Sequence, residues 1–269
     1  MPKPSLAGQP DVSYRLQSGI SVCMAVVQRL RCQLERIIDH GQQVYTLELR
    51  PEHPVPRFLP GQFLHLALDA YDPCDFWPES RAFSIASPPT ERTVLRISYS
   101  VHGRFTARME RELHVGRCVW VKLPYGEFVV DGSRPAVLLA GGTGITAFSA
   151  FLAGLTPDHP HPVWLAYGAR DRQRLIYRSL IEQQAHKVSR LRVYYFVEQD
   201  DDGGPSTPDG PEPPVKVGRM SCTAVWPDVE RPDEALFYLS GPPAMLKTLT
   251  AELRMLGVSP AAIRTDAWE

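Results

Sequence analysis

PAVLLAGGTGIT, residues 135–146, is the stretch that decides the fold of the second half of this chain. A short apolar run of strand length passes directly into glycines and threonines, and a mostly apolar segment of helix length, AFSAFLAGL, follows at 147–155. Such a turn lets backbone N–H groups at the start of a helix face a pyrophosphate. Because any strand-to-helix turn can use glycine, the motif becomes specific only through its surroundings.

The residues after this motif repeat the same order of strand and then helix. VWLAYG (163–168) precedes a polar helix around 174–185, LRVYYFV follows at 191–197, and ALFYLSG (235–241) leads into the helical PPAMLKTLTAELRMLG. This alternation predicts a parallel sheet flanked by helices, an α/β nucleotide-binding domain over residues 134–269. Ligands of such sheets bind at the carboxyl ends of the strands, where the glycine turns lie.

The earlier part of the chain has a different texture, with short apolar or alternating runs separated by Pro and Gly. The predicted strands are VYTLELR (44–50), QFLHLAL (62–68), AFSIAS (82–87), TVLRISYS (93–100) and CVWVKL (118–123). They predict an antiparallel barrel over residues 22–133, with one helix over 104–113 covering an end. Residues 1–21 are predicted to be a loose arm, and the acidic, Pro- and Gly-rich stretch between 198 and 217 a mobile loop.

Composition excludes several classes of function. A chain of 269 residues fits two domains, and its net charge of −1 gives no electrostatic footprint for nucleic acid. The most apolar early run, 20–27, is too short to span a bilayer, and a cytoplasmic protein is expected. The five cysteines lack the spacing of zinc or iron–sulfur sites, and no metal is expected.

RAFSIAS, residues 81–87, stands sixty positions before GGTGIT. It supplies an arginine, an aromatic ring and two hydroxyls along one extended segment. A flavin needs a ring wall, a hydrogen-bond partner for the nitrogen that accepts hydride, and cations or N–H groups for its phosphates. An ordinary half-exposed strand is the alternative interpretation of this segment taken alone.

Over about residues 22–268 the chain resembles the ferredoxin–NADP reductase superfamily, whose flavin motif Arg-x-Tyr/Phe-Ser-x-x-Ser matches Arg81, Phe83, Ser84 and Ser87. The resemblance implies a Greek-key flavin-binding barrel followed by the α/β domain. It implies that Arg81 pairs with the FAD pyrophosphate, Phe83 stacks on the ring and Ser84 bonds the hydride-accepting nitrogen. The positions assigned to FAD are Arg81, Ala82, Phe83, Ser84, Ser87, Ile97, Ser98, Tyr99, Gly103, Arg104, Phe105, Thr106 and Trp268.

The same resemblance assigns a nicotinamide nucleotide to Gly142, Thr143, Gly144, Thr146, Arg170, Gly241, Pro242 and Met245. Ser240 stands where the family usually has a cysteine next to the point of hydride transfer, which predicts looser ring positioning and slower transfer. Trp268 stands where relatives carry an aromatic residue that covers the far face of the flavin, and a frayed tail is the alternative. The predicted catalytic residues are therefore Ser84, Ser240 and Trp268.

The end of the LRVYYFV strand bears on the choice of nicotinamide donor. Glu198, Gln199 and the acidic run 200–202 would repel the extra phosphate of NADPH and could bond ribose hydroxyls, which favours NADH. A merely solvated acidic loop is the alternative. The nearby Arg170, Arg172 and Arg174 keep NADPH open.

The implied activity is flavin-dependent NAD(P)H oxidation, with electrons passed to a separate redox carrier protein or partner subunit. Two alternatives stay open: a flavin- and nucleotide-binding docking subunit of a larger complex, and a free-flavin reductase. The insertion DPCDFWPE (72–79) places Phe76 and Trp77 just before the flavin motif. Either this loop packs against the barrel, or it is a flap on the flavin or a docking element.

Overall fold

The computed structural model describes residues 13–15, 21–23, 26–199 and 215–266. Two short strands, β1 (Ser13–Arg15) and β2 (Ser21–Cys23), pair as an antiparallel hairpin. The next six strands form one antiparallel sheet. They are β3 (Gln28–Asp39), β4 (Val44–Pro51), β5 (Phe63–Ala67), β6 (Ser80–Ser84), β7 (Leu95–Ser100) and β8 (Cys118–Tyr125), with helix α1 (Arg104–Glu112) between β7 and β8.

This sheet is a nearly closed barrel with the strand order β6-β5-β8-β3-β4-β7. Its two edges, β6 and β7, come together just beyond the end of β6. There the Ala86 N–H donates to the Arg96 carbonyl over 2.7 Å, and the Arg96 N–H donates to the Ser87 hydroxyl over 3.2 Å. Because each strand pairs antiparallel and β8 returns between β3 and β5, the predicted Greek-key barrel is confirmed.

In the barrel, the structure contains the predicted helix and one long strand that the prediction omits. Helix α1 covers one end with buried Phe105 and Met109, as predicted. The twelve-residue β3 is missing from the predicted strands, although Leu30, Cys32 and Leu34 alternate with exposed residues and lie in the core. The polar Arg31 and Gln33 between these positions hide a strand whose period of two is otherwise regular.

The second sheet is entirely parallel, with the order β12-β11-β10-β9-β13-β14. Its elements are β9 (Ala136–Gly141), α2 (Thr146–Ala153), β10 (Val163–Ala169), α3 (Arg178–Lys187), β11 (Leu191–Val197), β12 (Val215–Val217), β13 (Leu236–Ser240), α4 (Pro243–Met255) and β14 (Ile263–Asp266). The predicted α/β architecture is confirmed, while the short β12 and β14 extend the predicted sheet at its two edges. The strand order changes direction at β9, which makes its carboxyl end the expected ligand crevice.

Helix α2 lies between the two sheets. Residues 146–152 are all buried, and the Ser149 hydroxyl donates to the Ala86 carbonyl of the barrel over 3.2 Å. Val44 and Val130, which lie before α2 in the chain, belong to the same buried cluster as Phe148. We call this contact between the barrel and the parallel sheet the seam.

Two further findings concern the described part of the chain. None of its helices has the length and apolar character needed to cross a lipid bilayer. Across residues 13–15, 21–23, 26–199 and 215–266, no three His, Cys, Asp or Glu side chains are grouped so that they could hold a metal ion.

Candidate functional site

The two motifs singled out in the sequence meet at the seam. RAFSIAS forms β6 and the segment that closes the barrel, and GGTGIT forms the turn between β9 and α2. The Ser149–Ala86 hydrogen bond joins the helix that follows one motif to the end of the other. The fold therefore brings together two segments that are far apart in the chain.

A positively charged pocket lies at the start of α1. The Arg81 guanidinium lies 5.1 Å from the centre of the Phe105 ring, in the first turn of that helix. Glu79 pairs with Arg81 at 3.0 Å and with Arg104 at 3.8 Å, so two cations share one carboxylate and one positive charge is left over. Arg81 and Arg104 are both well exposed, and the first N–H groups of a helix attract anions. This group fits a phosphate or diphosphate.

The other residues of the loop that leads into α1 shape its backbone. Gly103 has φ of +83°, and a Cβ at this position would meet nothing within 4 Å, so the loop is open on that side. The Thr106 hydroxyl accepts from the His102 N–H at 2.6 Å and donates to the His102 carbonyl at 2.8 Å. Thr106 therefore holds the turn with its side chain and has its backbone N–H to offer to an anion.

The aromatic residues of the predicted flavin site lie side by side on β6 and β7. Phe83 is half-buried and packs edge-on against Tyr99, with 6.2 Å between the ring centres. Tyr99 is buried in the barrel cluster, and Ile97 on the same strand is fully buried there. Phe83 is therefore partly accessible, whereas Ile97, predicted to contact FAD, has no exposed surface because it packs inside the barrel and pairs with Leu47.

Ser84 is a largely buried residue whose hydroxyl has no protein partner. The residue is 6% exposed, and its side chain makes no hydrogen bond to any residue in the described ranges. Its oxygen is not among the sealed, unpartnered polar atoms of these residues, so it reaches solvent and can meet a ligand. This accessible hydroxyl, next to Phe83, is the feature of the barrel that best fits a bound flavin.

The other predicted serines on these strands have protein partners. The Ser87 hydroxyl accepts from the Arg96 N–H and so closes the barrel. The Ser98 hydroxyl bonds to Thr46 at 2.5 Å and to Tyr177 of the parallel-sheet unit at 2.7 Å. Neither Thr46 nor Tyr177 lies in a motif that the sequence singles out, and no local pattern marks them, because their partner comes from a distant part of the chain.

Among the glycines after β9 and β13, some are needed for close packing and one lies on the open side. A Cβ on Gly144 would lie 2.3 Å from the Ser240 carbonyl oxygen, and one on Gly241 would lie 2.6 Å from Cε of Met245. These glycines let the turn after β9 pack directly on the turn after β13. Gly142, with φ of +54°, would place a Cβ in open space, so it lies at the accessible side of the turn.

Two hydroxyls near this turn have different structural roles. Thr146 donates to the Thr143 carbonyl over 2.6 Å and so stabilises the start of α2. The fully buried Ser240 donates to the carboxylate of Asp266 over 3.0 Å, across the β13–β14 pair. Ser240 is thereby fixed at the carboxyl end of β13, directly before Gly241 and Pro242.

Charged side chains surround the carboxyl ends of β10 and β11. Arg170 is exposed, and its carbonyl accepts from the Gln199 N–H over 2.8 Å. Glu198 pairs with the exposed Arg219 at 3.3 Å. Arg174 is tied to Asp171 at 3.3 Å and also donates to the side chain of Gln42. Its guanidinium is therefore engaged within the protein.

Some predicted features lie outside the described residues. They are Trp268, the acidic run 200–202, the greater part of the predicted loop between 198 and 217, and most of the predicted arm 1–21.

The 72–79 insertion combines both interpretations of its sequence. The Trp77 indole donates to the Ser80 hydroxyl over 3.0 Å and lies beneath the Lys122 ammonium, 4.9 Å from the ring centre. Trp77 therefore packs on the outer wall of the barrel. Phe76, by contrast, is 93% exposed.

Comparisons with known proteins agree with this geometry. Residues 138–250 match the family model described as "Oxidoreductase NAD-binding domain". The chain is 27% identical to the toluate 1,2-dioxygenase electron transfer component of Pseudomonas putida over 260 residues, which is 95% of this chain and 72% of that protein. It is 29% identical to the phenol 2-monooxygenase reductase component DmpP of Pseudomonas sp. (strain CF600) over 181 residues, 65% of this chain and 49% of DmpP.

A third relative and one solved structure complete the comparison. The flavohemoprotein of Rhizobium meliloti (strain 1021) is 25% identical over 239 residues, 83% of this chain and 56% of that protein. The chain thus spans about half the length of this relative and of DmpP. The crystal structure of the Amycolatopsis cytochrome P450 reductase GcoB superposes with a TM-score of 0.75 at 21% identity, covering 91% of this chain and 71% of that one.

The shared fold, the family model over the parallel sheet and the relatives that extend across the barrel all agree with the motif resemblance. Together these findings support the resemblance of the chain to the ferredoxin–NADP reductase superfamily.

Proposed function

We propose that this protein is a flavin-dependent NAD(P)H oxidoreductase that passes electrons to a separate carrier protein. One observation carries the proposal: the RAFSIAS strand, with the unpartnered Ser84 hydroxyl, lies at the same seam as the GGTGIT turn. Bound FAD would accept hydride from the nicotinamide and release the electrons one at a time. The protein itself must bind both cofactors and orient them toward each other.

On the barrel side, the proposed role of the residues is to bind FAD and to orient its ring system. Arg81, Arg104 and the first N–H groups of α1 neutralise the diphosphate. The accessible face of Phe83 supports the ring system. Ser84 would offer its hydroxyl to the flavin ring as a hydrogen-bond donor, which would favour negative charge on the ring.

On the parallel-sheet side, the turn at Gly142 and Thr143 and the start of α2 bind the nucleotide pyrophosphate. Asp266 holds the Ser240 hydroxyl at the end of β13, so Ser240 limits how the nicotinamide ring can lie above Gly241 and Pro242. Trp268, which lies outside the described residues, is proposed from the resemblance alone to cover the far face of the flavin.

NADH is the proposed donor. Glu198 stands at the end of β11, where a carboxylate can accept from ribose hydroxyls and repels an added phosphate. Arg219 pairs with Glu198 but is 88% exposed, so solvent screens much of its charge. Comparison of kcat/KM for the two donors, in the wild type and in Glu198→Gln, tests this choice. The expected preference for NADH shrinks in the variant, and a wild-type preference for NADPH would contradict it.

The carrier is proposed to be a separate redox protein, as the printed names "electron transfer component" and "reductase component" of the relatives suggest. We also propose a cytoplasmic location, because the nicotinamide donor is held there. Fractionation of cells that express the protein checks this location.

The experiment that tests the proposed function is an absorption spectrum of the purified protein before and after anaerobic addition of NADH. The expected result is a flavin spectrum that bleaches on addition. A protein that binds flavin and stays yellow with either donor would be a docking subunit. A protein that purifies without flavin, yet reduces added flavin, would be a free-flavin reductase.

A further inference from the structure

A chain of four polar side chains crosses the seam. His40 Nε2 lies 2.8 Å from Thr46 Oγ1, Thr46 Oγ1 lies 2.5 Å from Ser98 Oγ, and Ser98 Oγ lies 2.7 Å from the Tyr177 hydroxyl. The first three residues belong to the barrel or its β3–β4 turn, and Tyr177 directly precedes α3 of the parallel-sheet unit. The chain of hydrogen bonds therefore joins the two units through side chains.

Its middle members are sealed from water. Thr46 is 1% exposed and Ser98 is 5% exposed, so neither hydroxyl can exchange its partner for solvent without opening the seam. Three hydroxyls have three protons to donate. Every proton finds an acceptor when Tyr177 donates to Ser98, Ser98 to Thr46, and Thr46 to a neutral His40. Loss of any member leaves a neighbouring side chain of the series with one hydrogen bond fewer.

Backbone strain is concentrated at the same place. Gln42, Gln43 and Tyr177, with φ of 49°, 62° and 61°, are the non-glycine residues of the described ranges that have a left-handed backbone. This conformation is unfavourable, above all for a bulky side chain, and persists only where surrounding contacts enforce it. Gln42 also accepts a hydrogen bond from Arg174, so the strained turn and the strained Tyr177 face each other across the seam.

The charged groups near this series of hydrogen bonds have partners of their own. Asp39 lies beside His40 on the barrel, and its carboxylate accepts from the Gly41 N–H over 2.8 Å. Arg96 and Glu48, which act on Tyr177 electrostatically, pair with each other at 2.8 Å. The other seam contacts include the Arg174–Gln42 hydrogen bond, apolar packing as at Val44, and the Ser149 bond to the Ala86 carbonyl. Apolar packing fixes distance better than orientation, and Gln42 and Arg174 lie beside the series rather than within it.

We propose that His40, Thr46, Ser98 and Tyr177 form an orientation lock that sets the angle at which the parallel sheet sits on the barrel. They are positioning residues: they act by aligning the nucleotide turn with the flavin strand, and this part of the inference rests on the proposed function. A small misalignment of two reacting rings slows transfer strongly while leaving each binding site intact. The lock is therefore expected to govern the rate at saturation rather than donor affinity.

The test compares Tyr177→Phe and Thr46→Val with the wild type. Each variant keeps the shape of the side chain and removes one hydroxyl. Tyr194→Phe is the matched control, because its hydroxyl bonds Asp228, away from the seam. We expect the limiting rate of flavin reduction by NADH to fall roughly tenfold in both variants, with KM unchanged. The double variant should fall no further, because both changes break one network. Thr46→Ser should restore the rate.

A second measurement does not depend on cofactor or activity. Backbone hydrogen exchange is followed at residues 40–46 and 177–181 in the purified protein. Tyr177→Phe should speed exchange in both segments, including the Val44 N–H that bonds the Gly41 carbonyl across the turn. A merely local role for Tyr177 would speed exchange only in 177–181, and that result would overturn the lock.

The two failures are distinguishable. If NADH does not reduce the wild-type flavin, the proposed function fails, while the exchange experiment still decides whether the seam is locked. If the wild type is reduced and both variants react at the wild-type rate, the positioning role is refuted although the function stands.

Discussion

At the scale of single residues, Ser84 has the most direct consequence. Its hydroxyl lacks a partner among the described residues, and we expect it to bond the bound flavin. Ser84→Ala should retain flavin but slow its reduction by NADH roughly 10- to 100-fold, because a donor at the developing charge is removed. Stopped-flow absorption measures the rate, with Ser259→Ala as a surface control. An unchanged rate in Ser84→Ala would remove this residue from the mechanism.

Ser240 is expected to matter for stability as well as for alignment. Ser240→Ala removes the hydrogen bond to the buried Asp266 carboxylate and should lower the free energy of unfolding by about 1–3 kcal/mol. Ser240→Cys fills the space but donates more weakly, so its loss should be smaller. Urea unfolding of the three proteins checks the order. Equal stability of the alanine variant and the wild type would show that this bond contributes nothing.

His40 gives the seam a pH dependence. Burial lowers the pKa of His40 below 6.5, and the neighbouring Asp39 partly offsets this effect. A lowered pKa means that the folded state favours neutral imidazole. The resulting stabilisation is fully present above pH 6.5 and is lost as the pH falls toward the folded-state pKa.

Urea unfolding at about pH 7.5 and about pH 5.5 measures this loss. We expect the wild type to lose more stability on acidification than His40→Asn, in which the titrating group is absent. Other histidines titrate in both proteins, so the difference between the two proteins isolates His40. Identical losses would show that His40 is not linked to folding.

At the scale of elements, the turn after β9 is predicted to be intolerant of a side chain where it packs on the turn after β13, unlike the glycine at the end of α2. Gly144→Ala would force a Cβ to within 2.3 Å of the Ser240 carbonyl and should destabilise the protein by roughly 3 kcal/mol or more. Gly154→Ala, at the end of α2 with ordinary contacts of 3.5 Å, should change stability by less than about 1 kcal/mol. Thermal unfolding of both variants tests the contrast, and equal shifts would contradict the packing role of Gly144.

Elements with a strong local signal could be predicted from the sequence. The strands around 44–50, 93–100 and 191–197 and the helix over 104–113 have regular periods, and the structure contains them. β3 could have been predicted from its alternating Leu30, Cys32 and Leu34, but the polar residues between them obscured the pattern. β12 is three residues long and gains its strand geometry from pairing with β11, which no local pattern encodes.

Some residues of the candidate site could likewise be predicted from the sequence, and others could not. Arg81, Phe83, Ser84 and the glycine turn could be named because their chemistry is contained in short contiguous motifs. The partners of Ser98 could not, because Thr46 and Tyr177 are 52 and 79 residues away in the chain and meet it only after folding. Burial of Ile97 and Ser87 likewise follows from barrel closure rather than from their own neighbours.

At the scale of the whole molecule, the two sheets have separate cores, and function depends on how they meet. The barrel presents a positive pocket, a ring face and a free hydroxyl, and the parallel sheet presents the turn that follows β9. The proposed flavin residues lie on the barrel and the proposed nucleotide residues on the parallel-sheet unit. We therefore propose that the reaction takes place at the seam.

The most direct test of this account is anaerobic reduction of the purified protein by NADH that carries deuterium at the transferred position. The account predicts that the bound flavin is reduced in a single step, that the step is slower with deuterium than with hydrogen, and that Ser84→Ala slows it further. A flavin that remains oxidised with both NADH and NADPH, or a protein unable to bind flavin at all, would contradict it.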